Sequence, residues 1–330
     1  MDFDLTDDQS EIKRVARDLL SARSAMARVR EAAEARRYDA ALWREIVELG
    51  WPGIAVSEGR GGQGLGIVEL AVLLEELGYA CAAVPFLSTA VAAAVIDRHG
   101  DDEQRERWLP GLLAGELTAG VGPVGLLVDG HGADVALALN AEGQLVLTTD
   151  VDALPELETV DPTRRVAQIT GGWWGQELGA DAAALVHCGV AAEIVGVCQR
   201  ALDMTLSYVK ERRQFGVAVG SFQAVSHRCA QMLFDTESVR SAAYFAAWAA
   251  DADPERLLEG AALAAASAAR SGRDVTASAI QCHGGIGFTW EADVHWLYKR
   301  AELDRALLGG SSRHHAALAR AAAARISVSA

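Results

Sequence analysis

The stretch ALVHCGVAAEIVGVCQRALDMTLSYVKERRQFG, from Ala184 to Gly216, restricts the fold more than any other feature of the chain. Val190, Ile194, Val197, Ala201, Thr205 and Tyr208 recur at the three-to-four spacing of one helix face. A helix this long needs other helices to cover its stripe, and the sequence after it supplies them. A second helix is predicted over roughly 222–250. A third opens at Asp253-Pro254, a capping acid followed by proline at the first helical position, and ends near Gly284-Gly285. A fourth covers roughly 291–307, breaks at GGSS (309–312), and a last helix follows. Long helices joined by short loops predict a C-terminal four-helix bundle over 177–330.

Two further regions precede the bundle. Residues 1–116 read as a helical domain, opened by Thr6-Asp7-Asp8-Gln9, which has the form of a capping box. Further helical signals lie around 40–50, 66–79 and 102–115. The glycine-rich run SEGRGGQGLG (57–66) lacks the Gly-Lys-Ser/Thr ending of a phosphate loop and reads as a connector. Residues 117–176 change character. DVALALN (134–140), QLVLTTD (144–150) and RRVAQIT (164–170) are short strand-like runs, so this region reads as a small β domain.

Charges interrupt the apolar runs, and no uninterrupted segment reads as long enough to cross a bilayer. The acidic start MDFDLTDDQS resembles no targeting peptide, and five cysteines without framework spacing suggest reduced thiols, so a cytoplasmic location is expected. A formal charge of −15 argues against nucleic acid or an anionic membrane as partner. An anionic ligand therefore needs local arginines and backbone amides.

Two fragments offer them. KERRQFGVAVGSFQAVSH (210–227) ends one helix with two arginines, turns at Phe215-Gly216 and restarts at Phe222-Gln223. Arginine forks suit phosphate oxygens, and a neighbouring aromatic can pack on a heterocycle. QCHGGIGF (281–288) lets the backbone approach a ligand closely, since glycine has no Cβ. Taken singly, each fragment also fits ordinary helix-end chemistry. Adjacent Cys282 and His283 do not easily chelate one ion, and no metal-ligand spacing accompanies them, so no metal is expected.

Together and in this order the fragments resemble the acyl-CoA dehydrogenase flavoprotein family. YVKERRQFG…FQAV and QCHGGIGFTWEADVHWLYKRA are the most specific matches. ELGWPGIAVSEGRGGQGLG, LEELGYACAAVPF and LPGLLAGEL extend the likeness across the N-terminal region. The resemblance implies a mostly α chain with a small β domain: an N-terminal helical domain, a middle β domain and a C-terminal four-helix bundle. It also implies FAD at a subunit interface, with Arg212, Gln214, Phe215, Gln223, Gln281, Gly284 and Gly285 reaching a nucleotide held mainly by a neighbour. Cys282 and His283 are then incidental. An acyl-CoA substrate is implied, with electrons passing to an electron-transfer flavoprotein.

The family reaction needs a glutamate to take the α-proton, at one of two positions. Here these align with Leu308 (Leu307 or Gly309 after a slip of one) and with Val186, and none is a carboxylate. Glu193, two turns after Val186, is the weak alternative base. His187 reads as a bundle histidine, a weak base or a CoA-phosphate contact. The Thr-Glu-Pro and Trp-x-Thr segments that cradle the flavin ring have no match between Gly120 and Gly171. GPVGLLVDG occupies the place of the first, and Trp173-Trp174 stand too late for the second.

The first reading is therefore the short subunit of a heteromeric α2β2 acyl-CoA dehydrogenase, resembling those that oxidise steroid side-chain CoA thioesters in actinobacteria, with a full-length partner subunit. Two others stay open: a non-catalytic homo-oligomeric scaffold of this fold, and a homomeric flavoenzyme with an atypical base such as Glu193.

Overall fold

The computed structural model describes residues 4–123, 125–140, 143–149, 151, 154–169 and 175–328. The chain opens with helices α1 (Asp7–Arg23), α2 (Met26–Ala35), α3 (Ala40–Glu48), α4 (Ile67–Ala80), α5 (Phe86–His99) and α6 (Asp102–Leu113). Thr6 caps α1 as its sequence predicts: the Gln9 amide donates to Thr6 Oγ1 (3.2 Å) and the Thr6 amide to Gln9 Oε1 (3.0 Å). The connector before α4 is tied down rather than open. Ser57 and Arg60 bond the Asp97 carboxylate, and the Asp251 carboxylate accepts from the first two amides of α4 (3.0 and 3.1 Å). A protein carboxylate thus fills the place a phosphate would take.

Helix α5 has no counterpart among the predicted helices. It is buried from Phe86 to Asp97, so its apolar residues run all round and leave no period to read.

The middle region holds strands β1 (Ala119–Pro123), β2 (Val135–Leu139), β3 (Leu145–Thr148), β4 (Glu156–Leu157), β5 (Val166–Ala167) and β6 (Gln176–Leu178). Four form a sheet in the order β1-β2-β3-β6, with β1 parallel to β2 (Ala119 opposite Val135) and β3 antiparallel to both its neighbours. β4 and β5 form a separate pair. Among the described residues of the expected strand 164–170, only Val166 and Ala167 form a strand pair, and Arg164 turns into the core instead.

The bundle consists of α7 (Gly179–Glu211), α8 (Gln223–Ala252), α9 (Leu257–His283) and α10 (Val294–Leu307), followed by α11 (Ser312–Val328). A tight hairpin, β7 (Arg213–Gln214) and β8 (Val217–Ala218), links α7 to α8. Asp253 makes no side-chain cap; the chain enters α9 through a 3-10 turn at Pro254–Arg256. Helix α7 is buried on every side from Ala182 to Cys198, not along one stripe, because α4 and α5 cover the face that the bundle leaves free. By length and composition α7 would suffice to cross a bilayer, against the reading that no segment does, yet 94% of its most apolar window is buried inside the protein. It crosses α4 closely. A Cβ on Gly196 would lie 1.8 Å from the Glu75 carbonyl oxygen, so only glycine permits the approach.

Candidate functional site

The two glycine and arginine fragments meet at one end of the bundle. Val209 of α7, Cys229 of α8 and Cys282 of α9 form a small apolar cluster there, and the Tyr208 ring stacks on His283 at 4.4 Å. His283 Nδ1–H donates to the Ala279 carbonyl (2.8 Å), and burial lowers its pKa, so it is a neutral structural ring. Burial pushes the Cys282 thiol up to about 11, which leaves it protonated and a poor nucleophile.

Outside this cluster the surface carries the residues named from the sequence. Arg212 closes α7, its amide bonded to the Tyr208 carbonyl (2.9 Å). Its exposed guanidinium has no partner among the described residues. The hairpin turns through Phe215 (φ 51°) and Gly216 (φ 82°), both left-handed as a two-residue hairpin loop of this type demands. Phe215 holds this strained geometry while 93% exposed, with its ring edge-on to Phe222 at 6.2 Å. Gln214, Gln223 and Gln281 are exposed around it.

Helix α9 ends at Gly284, whose φ of 64° and ψ of −142° suit glycine alone. Gly285 is different. Its φ is ordinary, and a Cβ there would meet nothing within 4 Å, so nothing inside the chain requires a glycine. Gly287 is structural, since a Cβ would strike the Ile280 carbonyl oxygen at 2.3 Å. Phe288 and Trp290, each 75% exposed, extend the apolar rim.

The base positions lie in the opposite setting. Val186 and Leu308 are 1% and 0% exposed. Two imidazoles join them: the His187 ring lies 4.9 Å from that of His314, whose Nε2–H donates to the Leu308 carbonyl (2.8 Å). Burial, then the nearness of His314 and Arg313, lowers the His187 pKa to about 3. That removes it as a useful base near neutral pH, and its burial keeps it from a CoA phosphate. The seam between α4, α5 and α7, bounded by Leu70, Leu74, Val91, Leu185 and Gly189, admits no water-sized sphere.

Glu193 stands in a buried ion network. Its Oε1 accepts from Arg164 and from Arg300 Nη1 (3.1 Å). Arg300 also reaches Asp161 Oδ2 and Thr163 Oγ1, each at 2.6 Å, and Arg164 reaches Asp129 Oδ2 (2.9 Å). Asp129 in turn accepts from Tyr38 and Ser88, both at 2.7 Å. The network therefore ties all three regions together. Asp304 beside it has no partner for either carboxylate oxygen, and burial, then the Glu193 charge, raises its pKa well above the usual range. Sequence reading singled out Glu193 alone from this group. Its members are scattered from Tyr38 to Asp304, and the one local signal was a charge inside an apolar helical run.

GPVGLLVDG folds back on itself. Val121 and Val128 exchange backbone hydrogen bonds (2.9 and 2.8 Å), and a Cβ on Gly122 would lie 1.8 Å from the Leu126 carbonyl oxygen. Trp173 and Trp174 lie outside the described residues.

Comparison with known proteins assigns both helical regions to one family. Residues 6–116 match the acyl-CoA dehydrogenase N-terminal domain and residues 186–323 its C-terminal domain. The chain is 35% identical to acyl-CoA dehydrogenase IpdE2 of Mycolicibacterium smegmatis over 82% of its length and 85% of that protein. It is 33% identical to IpdE2 of Mycobacterium tuberculosis over 90% and 92%. Among solved structures, the ChsE4-ChsE5 complex of M. tuberculosis superposes with a TM-score of 0.85 at 26% identity, covering 98% of this chain and 99% of the matched one. The Tcur3481-Tcur3483 steroid ACAD G363A variant gives 0.85 at 28%, covering 97% and 99%.

Proposed function

The chain belongs to the acyl-CoA dehydrogenase family, and we propose that it is the base-less subunit of a heteromeric, FAD-dependent acyl-CoA dehydrogenase. FAD is the cofactor of the family. When bound, it supplies the acceptor for the hydride that leaves the acyl β-carbon. The residues of the open corner fit its nucleotide: Arg212 presents an unpaired guanidinium fork for phosphate oxygens. Gly285 leaves room that no internal packing requires, and Phe215 and Phe288 offer apolar faces for an aromatic ring or a partner.

The observation that carries the proposal is the filling of both base positions. A general base must lie within hydrogen-bond reach of the proton it takes. Val186 and Leu308 have no proton acceptor in their side chains, and the seam beside Val186 is closed. Glu193 does not substitute, because its Oε1 holds two arginines and the residue is 1% exposed. A full-length partner subunit supplies the glutamate and the cradle for the flavin ring, in an α2β2 assembly, and the electrons pass on to an electron-transfer flavoprotein. The solved complexes of two named chains, one of them titled a steroid ACAD, support both the pairing and a steroid side-chain CoA thioester as substrate. Five buried free thiols suit a reducing, cytoplasmic location.

Co-expression with a full-length homologue tests this. The pair should purify together, yellow, and dehydrogenate acyl-CoA, while the chain alone should be colourless. Glu193→Gln in the pair should leave turnover within a few-fold of wild type. A loss of about 10²–10⁴-fold, the worth of a general base, with FAD content and assembly intact, would make Glu193 the base. Stoichiometric FAD and turnover in the chain alone would favour the homomeric reading, and a stable homo-oligomer that ignores the homologue would favour a scaffold.

A further inference from the structure

A cavity of about 330 Å³ opens between α1, α2, α4 and α7. At 1.5 Å of rise per residue, its Arg200 lies roughly 18 Å along α7 from Arg212 and roughly 21 Å from Val186, so the cavity belongs to neither end of the helix described above. Leu20, Met26 and Ala80 give it an apolar wall. Arg17, Glu76, Tyr79 and Arg200 give it a charged one.

The charged groups are not equally engaged. Arg17 makes a two-point ion pair with both oxygens of Glu76, which also faces Lys13 at 3.7 Å. That pair is neutralised within the chain. Arg200 forms no ion pair among the described residues. Its Nη1 lies 3.4 Å from the Tyr79 hydroxyl, and its carbon 5.1 Å from the Tyr79 ring centre. The neighbouring carboxylate, Asp203, already accepts from Tyr79 and from Gln199, each at 2.9 Å. Arg200 Nε is buried, and its Nη2, which is not buried, has no hydrogen-bond partner among the described residues. A half-buried guanidinium with no ion pair among the described residues, its Nη2 open on a cavity wall in a chain of net charge −15, can take an anion from outside.

The geometry points to a binding site for a small aliphatic monocarboxylate. Its two oxygens match the Nη1–Nη2 end of Arg200, a planar fork that carboxylates engage through two parallel hydrogen bonds. Its chain lies along Leu20, Met26 and Ala80. The volume falls at the lower end of the range for small-molecule pockets. A phosphate dianion fits less well, because the wall offers one unpaired cation and the Leu20, Met26 and Ala80 side gives its further oxygens no donor. The site stands independently of the flavin reading.

Calorimetric titration of the whole protein with sodium hexanoate tests the assignment, with hexan-1-ol and inorganic phosphate as companion probes. Hexanoate should bind saturably at one site per chain, and hexanol should not bind. Arg200→Gln should weaken hexanoate at least about tenfold, the scale of a lost charge-assisted pair of hydrogen bonds. Ala80→Phe, which fills the cavity and leaves Arg200 in place, should weaken it likewise, and it carries the test if the arginine variant does not fold. Absence of saturable hexanoate binding, or binding that both folded variants leave unchanged, would overturn the site. Arg200-dependent binding of phosphate tighter than that of hexanoate would overturn the carboxylate assignment.

Discussion

The two ends of α7 show opposite ways of using the same helix. Near its start Val186 and His187 are buried, and the His187 ring packs on His314 of α11, which bonds the Leu308 carbonyl. At its end Arg212 and Phe215 face outward, the guanidinium without a partner among the described residues and the ring 93% exposed on its hairpin turn. Side chains that hold a fold together pack solid against the rest of the chain, as at the first end. A residue placed to meet a ligand or a partner from outside forgoes internal partners, and under the proposed function the second end is such a place. The contrast separates what closes this chain from what it leaves open.

The closed side should respond to mutation through stability alone. Arg300→Met leaves Asp161 in the core without its cation and Glu193 with Arg164 alone, and breaking a buried pair this way costs about 3–5 kcal/mol. Urea unfolding measures it, and a cost near zero would mean that the network contributes nothing to holding the three regions together.

Acid probes the same side through His187. Its folded pKa, about 3, lies below the 6.5 of the free side chain, so the unfolded state binds the extra proton as pH falls. The stability tied to its neutral form is complete above about pH 6.5 and is lost progressively down to about pH 3, a window set by those two values. His187→Leu should therefore flatten the acid limb of the stability profile and cost little at pH 7, since Nε2 has no hydrogen-bond partner to lose. An acid limb of unchanged slope would place the titration elsewhere.

The open side should behave in reverse. Arg212→Ala in the assembled complex should weaken FAD binding by about 1.5–3 kcal/mol, the worth of a charged hydrogen bond, while leaving the unfolding midpoint in place. Arg213→Ala should weaken it less. Equal FAD dissociation constants for wild type and the Arg212 variant would remove the nucleotide role.

Two adjacent glycines give the finest comparison. Gly284→Ala forces a side chain into a conformation reserved for glycine, at a cost of about 1–3 kcal/mol in stability. Gly285→Ala has space and an ordinary φ, so stability should stay within about 0.5 kcal/mol, and its effect should appear only in FAD affinity. A stability loss at Gly285 would make it a structural glycine after all.

How much of this was readable in advance follows from distance along the chain. The capping box at Thr6, the hairpin at Phe215-Gly216 and the corner at Gly284-Gly285 each rest on residues a few positions apart, and all are present. The bundle helices announced themselves through their periodicity, although α7 turned out to be covered on both faces. Helix α5 escaped because all-round burial erases the period. The strand expected at 164–170 shrank because Arg164 had a better use in the core. In the cavity beside Tyr79, no spacing rule connects Arg17 with Arg200.

The sequence by itself determined the family, the layout of helices about a small sheet, the exposed arginine and glycine fragments, and the apolar side chains at Val186 and Leu308. Those are properties of residue type and local spacing, which short-range sterics and hydrogen bonding fix. Only the tertiary structure decided that Glu193 is bound to two arginines, that the seam beside Val186 is closed, and that Arg200 is left unpaired. Glu193 and Arg300 are 107 residues apart, and Arg300 and Asp161 are 139 apart. Which charges meet in a dry core depends on how whole elements pack, because burial makes an unpaired charge costly enough to select its partner from anywhere in the chain.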